Sequence, residues 1–198
     1  MKLALLVFAA TALAQPPPVR ILIAYHSQTG NTEKMAQAIR KGAASVEGIE
    51  VALRKIADVK DQEILQADGI VVGTPVYWSN VSADSKRFLE RVGDVLWRAK
   101  TNGDGRTAGA FCTGGGVAMG KDVARLSILS ALLTMRFTVI GGVDDAGFGT
   151  LGPEATTGPA GRGAGEKEQE EARNFGERFA RMTRQIRSAK NPPAPSAR

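Results

Sequence analysis

The chain has 198 residues, of which 43% are hydrophobic and 23% are charged, and it carries a formal net charge of +6. This composition predicts one globular domain with a sizeable core. Its single cysteine excludes an intrachain disulfide, so stability has to come from packing. The basic residues do not form one run with interleaved aromatic residues, which gives no reason to expect a nucleic-acid partner.

The first fourteen residues have the pattern of a secretory signal. Lys2 precedes an apolar run over 3–13, and the small residues at 12–14 are typical of a cleavage site. The run is too short for a permanent membrane anchor, and no other segment of the sequence is long enough to span a bilayer. We therefore expect export (periplasmic or secreted) after cleavage near Ala14, or a cytoplasmic location if the signal is not used. The prolines of the linker at 15–18 disfavour the alternative of a buried first strand.

Five apolar runs predict β-strands. Four are nearly continuous, which is typical of strands covered by helices on both faces, whereas the second alternates and suits a sheet edge, with Val51 and Leu53 on one side. The runs are VRILIAY at 19–25, VALRKI at 51–56, GIVVGTP at 69–75, TAGAFCTG at 107–114 and FTVIGG at 137–142.

Helical patterns lie between and after these runs. They cover residues 32–46, 82–97, 119–135 and 166–187. The connection at 57–68 has room for only about two helical turns. Strands that alternate with helices predict an α/β fold with a parallel sheet and helices on both faces. The predicted domain spans 19–188, and the proline-rich residues 189–198 are expected to form a disordered tail.

Three unusual loops follow predicted strands. Ligands of an open parallel sheet bind beyond the carboxyl ends of its strands, where the strand order reverses. We name these segments the first loop (SQTGNT, 27–32), the second loop (TPVYWSN, 74–80) and the third loop (CTGGGVAMG, 112–120). Their agreement in position is stronger evidence for a site than any one of them alone.

The first loop offers dipoles without charge. It leads into a helix whose free backbone N–H groups attract anions. The hydroxyls of Ser27, Thr29 and Thr32 and the amide of Asn31 add donors, so the loop suits a phosphate group. The alternative is an ordinary turn, in which Gly30 and Asn31 permit the bend and cap the helix.

The other two loops suit a flat ring. Tyr77 and Trp78 lie where no core is expected, and exposed aromatic side chains beside a phosphate loop favour stacking on a ring. We also expect one of the two to pack back on the sheet. The glycines at 114–116 let the backbone approach a planar ligand and present its N–H groups. A flexible turn is the alternative for these glycines.

Other candidate sites are weaker. Residues 115–121 have the spacing of a nucleoside-triphosphate loop, but Asp122 replaces the hydroxyl residue that would bind magnesium, and that motif normally follows the first strand of its domain. The single histidine, His26, would point away from the neighbouring Ser27 on a strand, so we interpret it as structural rather than as part of a hydrolase triad. One histidine also predicts no metal site. Cys112 is interpreted as a small buried residue.

One combination of motifs spans about residues 19–187: SQTGNTEKMAQAI, GTPVYWSNVSADSKRFLERVGDVLW, CTGGG and GTLGPEATTGP. It resembles the flavodoxin-like family, and most closely its WrbA-type NAD(P)H:quinone oxidoreductases. The resemblance implies a doubly wound, five-stranded parallel sheet of order 2-1-3-4-5. It also implies FMN as the cofactor.

The resemblance also implies the roles of the loops. In the family the first loop binds the FMN phosphate, the second borders the isoalloxazine ring and the third closes its other side. A tryptophan that matches Trp97 lines the family's substrate pocket. The implied cofactor-binding residues are Ser27, Gln28, Thr29, Gly30, Asn31, Thr32, Pro75, Val76, Tyr77, Trp78, Asn80, Thr113, Gly114, Gly115 and Gly116.

The activity that the resemblance implies is hydride transfer from NAD(P)H to the flavin, followed by two-electron reduction of a quinone. It implies a homodimer or a homotetramer, and it requires no protein acid or base, so no catalytic residue is assigned. Two alternatives stay open. One is a flavodoxin-type carrier of single electrons between partner proteins, against which the basic charge weighs weakly because such carriers are generally acidic. The other is a flavin-free binding module with the same fold.

The stretch at 144–165 is long for a connection without secondary structure. Such loops are usually lids or binding loops. Its GPEATTGP motif matches the family, which favours a lid over the flavin or an intersubunit contact. A disordered linker is the alternative.

Overall fold

A computed structural model gives the fold. It describes residues 17–117, 119–145, 150–158 and 163–190. The predicted signal at 1–14 lies outside these ranges, as do residues 191–198 of the predicted tail. Within the described ranges, no helix is long and apolar enough to cross a membrane.

Strands and helices alternate along the chain. The strands are β1 (Val19–Tyr25), β2 (Ile49–Lys55), β3 (Gly69–Tyr77), β4 (Asn80–Val81), β5 (Thr107–Gly114), β6 (Thr138–Val139) and β7 (Glu154–Thr156). The helices are α1 (Asn31–Ala44), α2 (Asp61–Gln66), α3 (Ala83–Arg98), α4 (Lys121–Thr134) and α5 (Glu166–Lys190). The short connection before β3 contains α2 and one 3₁₀ turn, Ile56–Asp58.

The sheet has the order β2-β1-β3-β5-β6, and these five strands run parallel. In terms of the five predicted strands this is the expected order 2-1-3-4-5, to which two short strands are added. β4 forms an antiparallel hairpin with β3, and β7 pairs with β5. β2 lies at the edge, where Val51 and Leu53 are half-buried against the same core cluster, as the alternation predicted.

The predicted fifth strand at 137–142 was wrong in extent. Only Thr138–Val139 is a strand, and it pairs with the first residues of β5. Gly142 then adopts a φ of 80°, a left-handed conformation that ends the extended segment. The other end of β5 is paired instead by β7, which falls within the stretch at 144–165 that was expected to lack secondary structure.

Both faces of the sheet are covered, as the continuous apolar strands predicted. Along β1, Ile21 and Ile23 belong to a core cluster with α1 and α5, whereas Leu22 and Ala24 belong to a cluster with α2, α3 and α4. Residues two apart on a strand share a face, so this alternation places one helical layer on each side. Because β1, β3 and β5 are adjacent and parallel, their carboxyl ends meet at one edge of the sheet.

The backbones of α1 and α5 lie almost in contact. A Cβ atom on Gly42 would lie 1.8 Å from the Arg173 carbonyl oxygen, and one on Gly176 would lie 2.1 Å from the Ile39 carbonyl oxygen. Only glycine allows this approach. The packing fixes the position of α1, whose amino end begins at the first loop.

Candidate functional site

The three loops form one crevice at the carboxyl edge of the sheet, because each pair of loops is joined by a contact. The Tyr77 hydroxyl donates a hydrogen bond to Gln28 Oε1 (2.8 Å), which links the second loop to the first. Buried hydroxyls of Thr32 and Thr113 lie 2.8 Å apart and link the first loop to the third. A Cβ atom on Gly120 would lie 2.3 Å from Ser79 Cα, so the third loop touches the second.

The amino end of α1 is free to bind an anion. Gly30 occupies the cap position with a φ of 84° and has no side chain that could accept from the helix N–H groups. The first backbone hydrogen bond of the helix runs from Lys34 N to Gly30 O. Among the described residues, none accepts a hydrogen bond from the backbone N–H groups at 31–33. Helix N–H groups without protein partners are a ready phosphate site. Of the ordinary-turn alternative, Gly30 does permit the bend at the cap position, whereas Asn31 does not cap α1, because it is the first residue of the helix and its Oδ1 accepts from Ala164 N (3.2 Å).

Two hydroxyls of the first loop accept one hydrogen bond each and keep a hydrogen to donate. Ser27 Oγ accepts a hydrogen bond from Gly30 N (3.1 Å), and Thr29 Oγ1 accepts one from Asn31 Nδ2 (3.2 Å). A hydroxyl that accepts one bond still has its own hydrogen to donate. Ser27 and Thr29 can therefore add two donors to the helix N–H groups. The three loops contain no charged residue, so the loops themselves would hold a phosphate by dipoles.

The second loop turns between β3 and β4 at Trp78 and Ser79. Their φ values are 51° and 60°, the left-handed pair of a type I′ hairpin turn that Asn-Gly usually supplies. This turn projects the Trp78 side chain outwards, where it is 100% exposed. Strained backbone of this kind costs on the order of 1 kcal/mol per residue and clusters at ligand sites.

The expectation that one aromatic side chain packs back on the sheet was wrong. Tyr77 is 37% exposed and lies against the first loop, where its ring meets the His26 ring edge-on at 6.2 Å between centroids. Its hydroxyl is held by Gln28. Of the other predicted residues in this loop, Pro75 is buried in β3, and Asn80 Oδ1 accepts from Val81 N (2.8 Å).

The glycines of the third loop have different surroundings. A Cβ atom on Gly115 would meet nothing within 4 Å, so this backbone faces open space. One on Gly114 would lie 3.1 Å from Lys121 Cγ and 3.7 Å from Val76 Cβ, and one on Gly116 would touch the Met119 side chain. Gly115 is therefore the glycine that a planar ligand can approach most closely.

Beneath the third loop lies a buried ionic cluster that the sequence reasoning missed. Lys121 is buried and its ammonium lies 2.7 Å from Glu154 Oε1 on β7. The buried Arg125 also pairs with Glu154, and it binds the Gly152 carbonyl oxygen. The cluster fastens β7 to α4. It also excludes the triphosphate motif, because the lysine of that motif points into the protein.

A helical stripe could have revealed this cluster. Lys121 and Arg125 share a face of α4 with the buried Ile128 and Leu132, at spacings of four, three and four residues. Two cations on a buried stripe need an anion from elsewhere in the fold. Cys112 lies in the same region, where burial raises the pKa of its thiol to about 12. The interpretation of Cys112 as a buried structural residue is confirmed.

His26 is structural, as predicted. Its Nδ1 lies 2.8 Å from Ser82 Oγ, and its Nε2 lies 3.5 Å from Asp84 Oδ2. Ser82 is buried and caps α3 by accepting from Ser85 N (3.2 Å), while Ser82 N donates to Thr74 Oγ1 (3.0 Å). His26 therefore ties the first loop to the start of α3. The described residues contain no group of three His, Cys, Asp or Glu side chains that could hold a metal.

The structure does not bring Trp97 to the crevice. α3 begins at Ala83, beside the second loop, and Trp97 is fourteen residues further along, a rise of about 21 Å. Trp97 is 85% exposed at the far end of α3. It cannot line the crevice of its own chain, and its predicted place in a substrate pocket stays a prediction that requires a second copy.

The end of the stretch at 144–165 touches the first loop. Ala164 N donates to Asn31 Oδ1, and a Cβ atom on Gly163 would lie 3.0 Å from the same oxygen. Thr157 N donates to Gly114 O (2.8 Å), so the stretch also borders the third loop. Residues 146–149 and 159–162 lie outside the described part, and the role of a lid stays a prediction.

Comparisons with known proteins agree with this geometry. A family model described as flavodoxin matches residues 23–121. Flavodoxin from Aquifex aeolicus is 39% identical over 162 residues, 81% of this chain and 85% of that protein. An NAD(P)H dehydrogenase (quinone) from Solidesulfovibrio magneticus is 25% identical, with 86% of this chain and 100% of that protein covered. A flavodoxin, WrbA-like protein from Agrobacterium tumefaciens has the same fold, with a TM-score of 0.67 at 22% identity over 85% of this chain and 99% of that one.

The chain belongs to the flavodoxin family. Membership implies FMN as the cofactor, and the crevice fits it, because free N–H groups and two donor hydroxyls meet the needs of a phosphate. The open space over Gly115 and the exposed aromatic side chains of the second loop suit a planar ring. Relatives named flavodoxin and relatives named NAD(P)H dehydrogenase (quinone) both occur, so the reaction has to be argued from the site.

Proposed function

We propose that the protein is an FMN-dependent oxidoreductase that uses NAD(P)H for the two-electron reduction of quinones. The observation that carries this proposal is the open, uncharged crevice, in which the side chains of Tyr77 and Trp78 are exposed to solvent. A flat acceptor can reach and stack on such a surface. The relatives named NAD(P)H dehydrogenase (quinone) support the same reaction.

FMN, when bound, supplies the electron chemistry, because its ring accepts a hydride and passes two electrons on. The residues of the chain bind and orient it. The N–H groups of Asn31 and Thr32 and the Ser27 hydroxyl hold the phosphate, and the bond between Thr32 and Thr113 fixes the distance between the first and third loops. Reduction of a quinone to a hydroquinone consumes the hydride and one further proton, which solvent can supply in an open crevice, so no side chain is assigned as acid or base.

A flavodoxin-type electron carrier is the second candidate function. The 39% identity to flavodoxin from Aquifex aeolicus favours it. A carrier receives electrons from a partner protein, whereas the proposed enzyme takes a hydride directly from a nucleotide. Catalysis by the purified protein without any partner therefore separates the two functions.

The test is steady-state oxidation of NADPH and NADH by the purified, FMN-loaded protein in the presence of a soluble quinone. The proposed enzyme is expected to turn over at about 1 s⁻¹ or faster, within the usual range of enzymes. Protein prepared without FMN is the control and should be inactive. A yellow protein that oxidises neither nucleotide would favour the carrier, and a colourless one that does not take up FMN would exclude both functions.

Export and self-association complete the proposal. The signal pattern at 1–14 supports export, which predicts a mature chain that begins at Gln15. Mass spectrometry of the protein from fractionated cells detects this end, and an intact Lys2 in cytoplasmic protein would contradict it. A homodimer or homotetramer is proposed from the family resemblance, and sedimentation of the FMN-loaded protein measures it.

A further inference from the structure

A second cavity, of about 420 Å³, lies next to the crevice. We name it the β2–α3 pocket because it opens between the end of β2 and the first turns of α3. None of the residues that line it belongs to the second or third loop, so it is distinct from the ring-binding part of the crevice. Ser27 of the first loop lines it, which makes the two sites neighbours.

The rim of the pocket is cationic. Three basic side chains line it, Lys55, Arg87 and Arg91, against one carboxylate, Asp84. Arg91 is already engaged with Asp61 and with the Val59 carbonyl oxygen. These charges favour an anionic ligand.

Lys55 is the cation with capacity to spare. Its ammonium forms no hydrogen bond or ion pair with any residue of the described ranges. Lys55 pairs with Tyr25 in the β1–β2 ladder, at the edge of the pocket. Arg87 pairs with Asp84, a carboxylate that also faces His26. An incoming phosphate would thus meet one free ammonium and one guanidinium whose existing partner is exposed.

The floor of the pocket is apolar. Ile56 and Phe88 are buried residues whose surfaces line the cavity, and Tyr25 closes it on the β1 side. A cavity of a few hundred Å³ with apolar walls and a few polar groups is typical of a small-molecule site. The combination selects a flat, partly apolar group that carries a phosphate.

We propose that the β2–α3 pocket binds the 2′-phosphoadenosine part of NADPH. The adenine ring would lie on the apolar floor, and the 2′-phosphate would bind Lys55 and Arg87. The identity of this ligand rests on the proposed function, in which NAD(P)H is the hydride donor. Because the 2′-phosphate is the group that distinguishes NADPH from NADH, the pocket would make the protein prefer NADPH.

The test is calorimetric titration of 2′,5′-ADP into the FMN-loaded protein and into its Lys55→Met and Arg87→Gln variants. Each substitution is expected to weaken binding roughly tenfold, the usual effect of one charged hydrogen bond. Lys41→Met is the matched control, because Lys41 is an exposed lysine of α1 on the opposite face of the sheet, and it should bind like the wild type. 5′-AMP, which lacks the 2′-phosphate and so loses both contacts, should bind about a hundredfold more weakly than 2′,5′-ADP.

Equal affinity of the wild type and Lys55→Met for 2′,5′-ADP would overturn the proposal. So would inorganic phosphate that displaces 2′,5′-ADP at equal concentration, because the pocket would then hold any small anion. A kinetic measurement separates this inference from the proposed function. If NADPH reduces the enzyme but its KM is the same in Lys55→Met and Lys41→Met, the pocket assignment is wrong and the function stands. If neither nucleotide reduces it while 2′,5′-ADP binding depends on Lys55, the function is wrong and the pocket remains a nucleotide site.

Discussion

The hydroxyl of Tyr77 donates a hydrogen bond of 2.8 Å to Oε1 of Gln28 and so joins the loop after β3 to the loop after β1. The two residues are 49 positions apart in the chain. In the proposed site the loop after β1 holds the phosphate of FMN and the loop after β3 borders its ring, so this bond would couple the two halves of the cofactor site.

Removing the bond should weaken FMN binding without unfolding the protein, because both side chains lie at the surface. Tyr77→Phe and Gln28→Leu are each expected to raise the Kd for FMN, measured by quenching of flavin fluorescence. The double variant should bind FMN no more weakly than the single variant with the higher Kd, which corresponds to a coupling energy of about 0.5–1 kcal/mol between the two side chains. Fully additive effects would show that the bond does not link the loops.

The two tryptophans of the chain form a matched pair of exposed side chains, one in the crevice and one far from it. Trp78→Ala should weaken FMN binding by about 1–2 kcal/mol, the usual contribution of stacking on an aromatic side chain. Trp97→Ala should leave FMN binding by one chain unchanged, because Trp97 lies at the other end of α3. Fluorescence titration of both variants checks this, and an equal loss in both would contradict the site.

The contact between Ser79 and Gly120 predicts opposite effects of two small substitutions. Ser79→Gly should raise the melting temperature, because glycine adopts a φ of 60° without strain, a gain of about 1 kcal/mol. Gly120→Ala should lower the melting temperature and cost more than about 2 kcal/mol of stability, because the new Cβ would lie 2.3 Å from Ser79 Cα and the φ of residue 120 is 74°. Thermal unfolding measures both, and a stable Gly120→Ala variant would refute the described contact.

The ionic cluster beneath the third loop predicts that Glu154 is important for stability. Glu154→Gln leaves Lys121 and Arg125 buried with a weaker partner, which should cost about 2–3 kcal/mol, reduced from a fully buried pair because Glu154 is 34% exposed. Asp122→Asn is the control. Asp122 also pairs with Arg125 but is 83% exposed, so its loss should cost under about 1 kcal/mol. Urea unfolding compares them, and similar losses would contradict the burial of the cluster.

The buried thiol of Cys112 predicts a loss of stability at high pH. Burial raises its pKa from 9.0 to about 12. Between these values the unfolded chain has lost the proton that the folded chain keeps, so the free energy of unfolding falls as pH rises, by up to about 1.4 kcal/mol per pH unit. Cys112→Ala should flatten this slope between about pH 9 and about pH 10, below the range where Tyr25 contributes. Urea unfolding across this range that gives the same slope in both proteins would contradict the prediction.

The main strands and the larger helices could be predicted from the sequence because their signals are local. β1 and the amphipathic helices α1 and α3 are observed within two residues of their predicted bounds. The three loops were also predicted correctly as neighbours, since the order of strands in a parallel sheet brings their carboxyl ends together. The prediction of FMN came from the family motifs and not from these local signals.

The remaining features depend on contacts between distant parts of the chain. β7 pairs with β5 across some forty residues, and a strand of three residues has no periodicity of its own. The left-handed pair Trp78 and Ser79 contains none of the Asn, Asp and Gly residues that usually form this type of turn, so the surrounding loops impose its geometry. Lys121 finds its partner Glu154 on a different element, and sequence spacing within α4 alone cannot name that partner.

The affinity of the purified protein for FMN compared with that for riboflavin tests the central claim most directly. If free N–H groups at the start of α1 hold the phosphate, one equivalent of the protein should quench the fluorescence of FMN. FMN should also bind at least about a hundredfold more tightly than riboflavin, which lacks the phosphate. Equal affinities, or no quenching by FMN, would contradict the site described for the crevice and the redox function proposed from it.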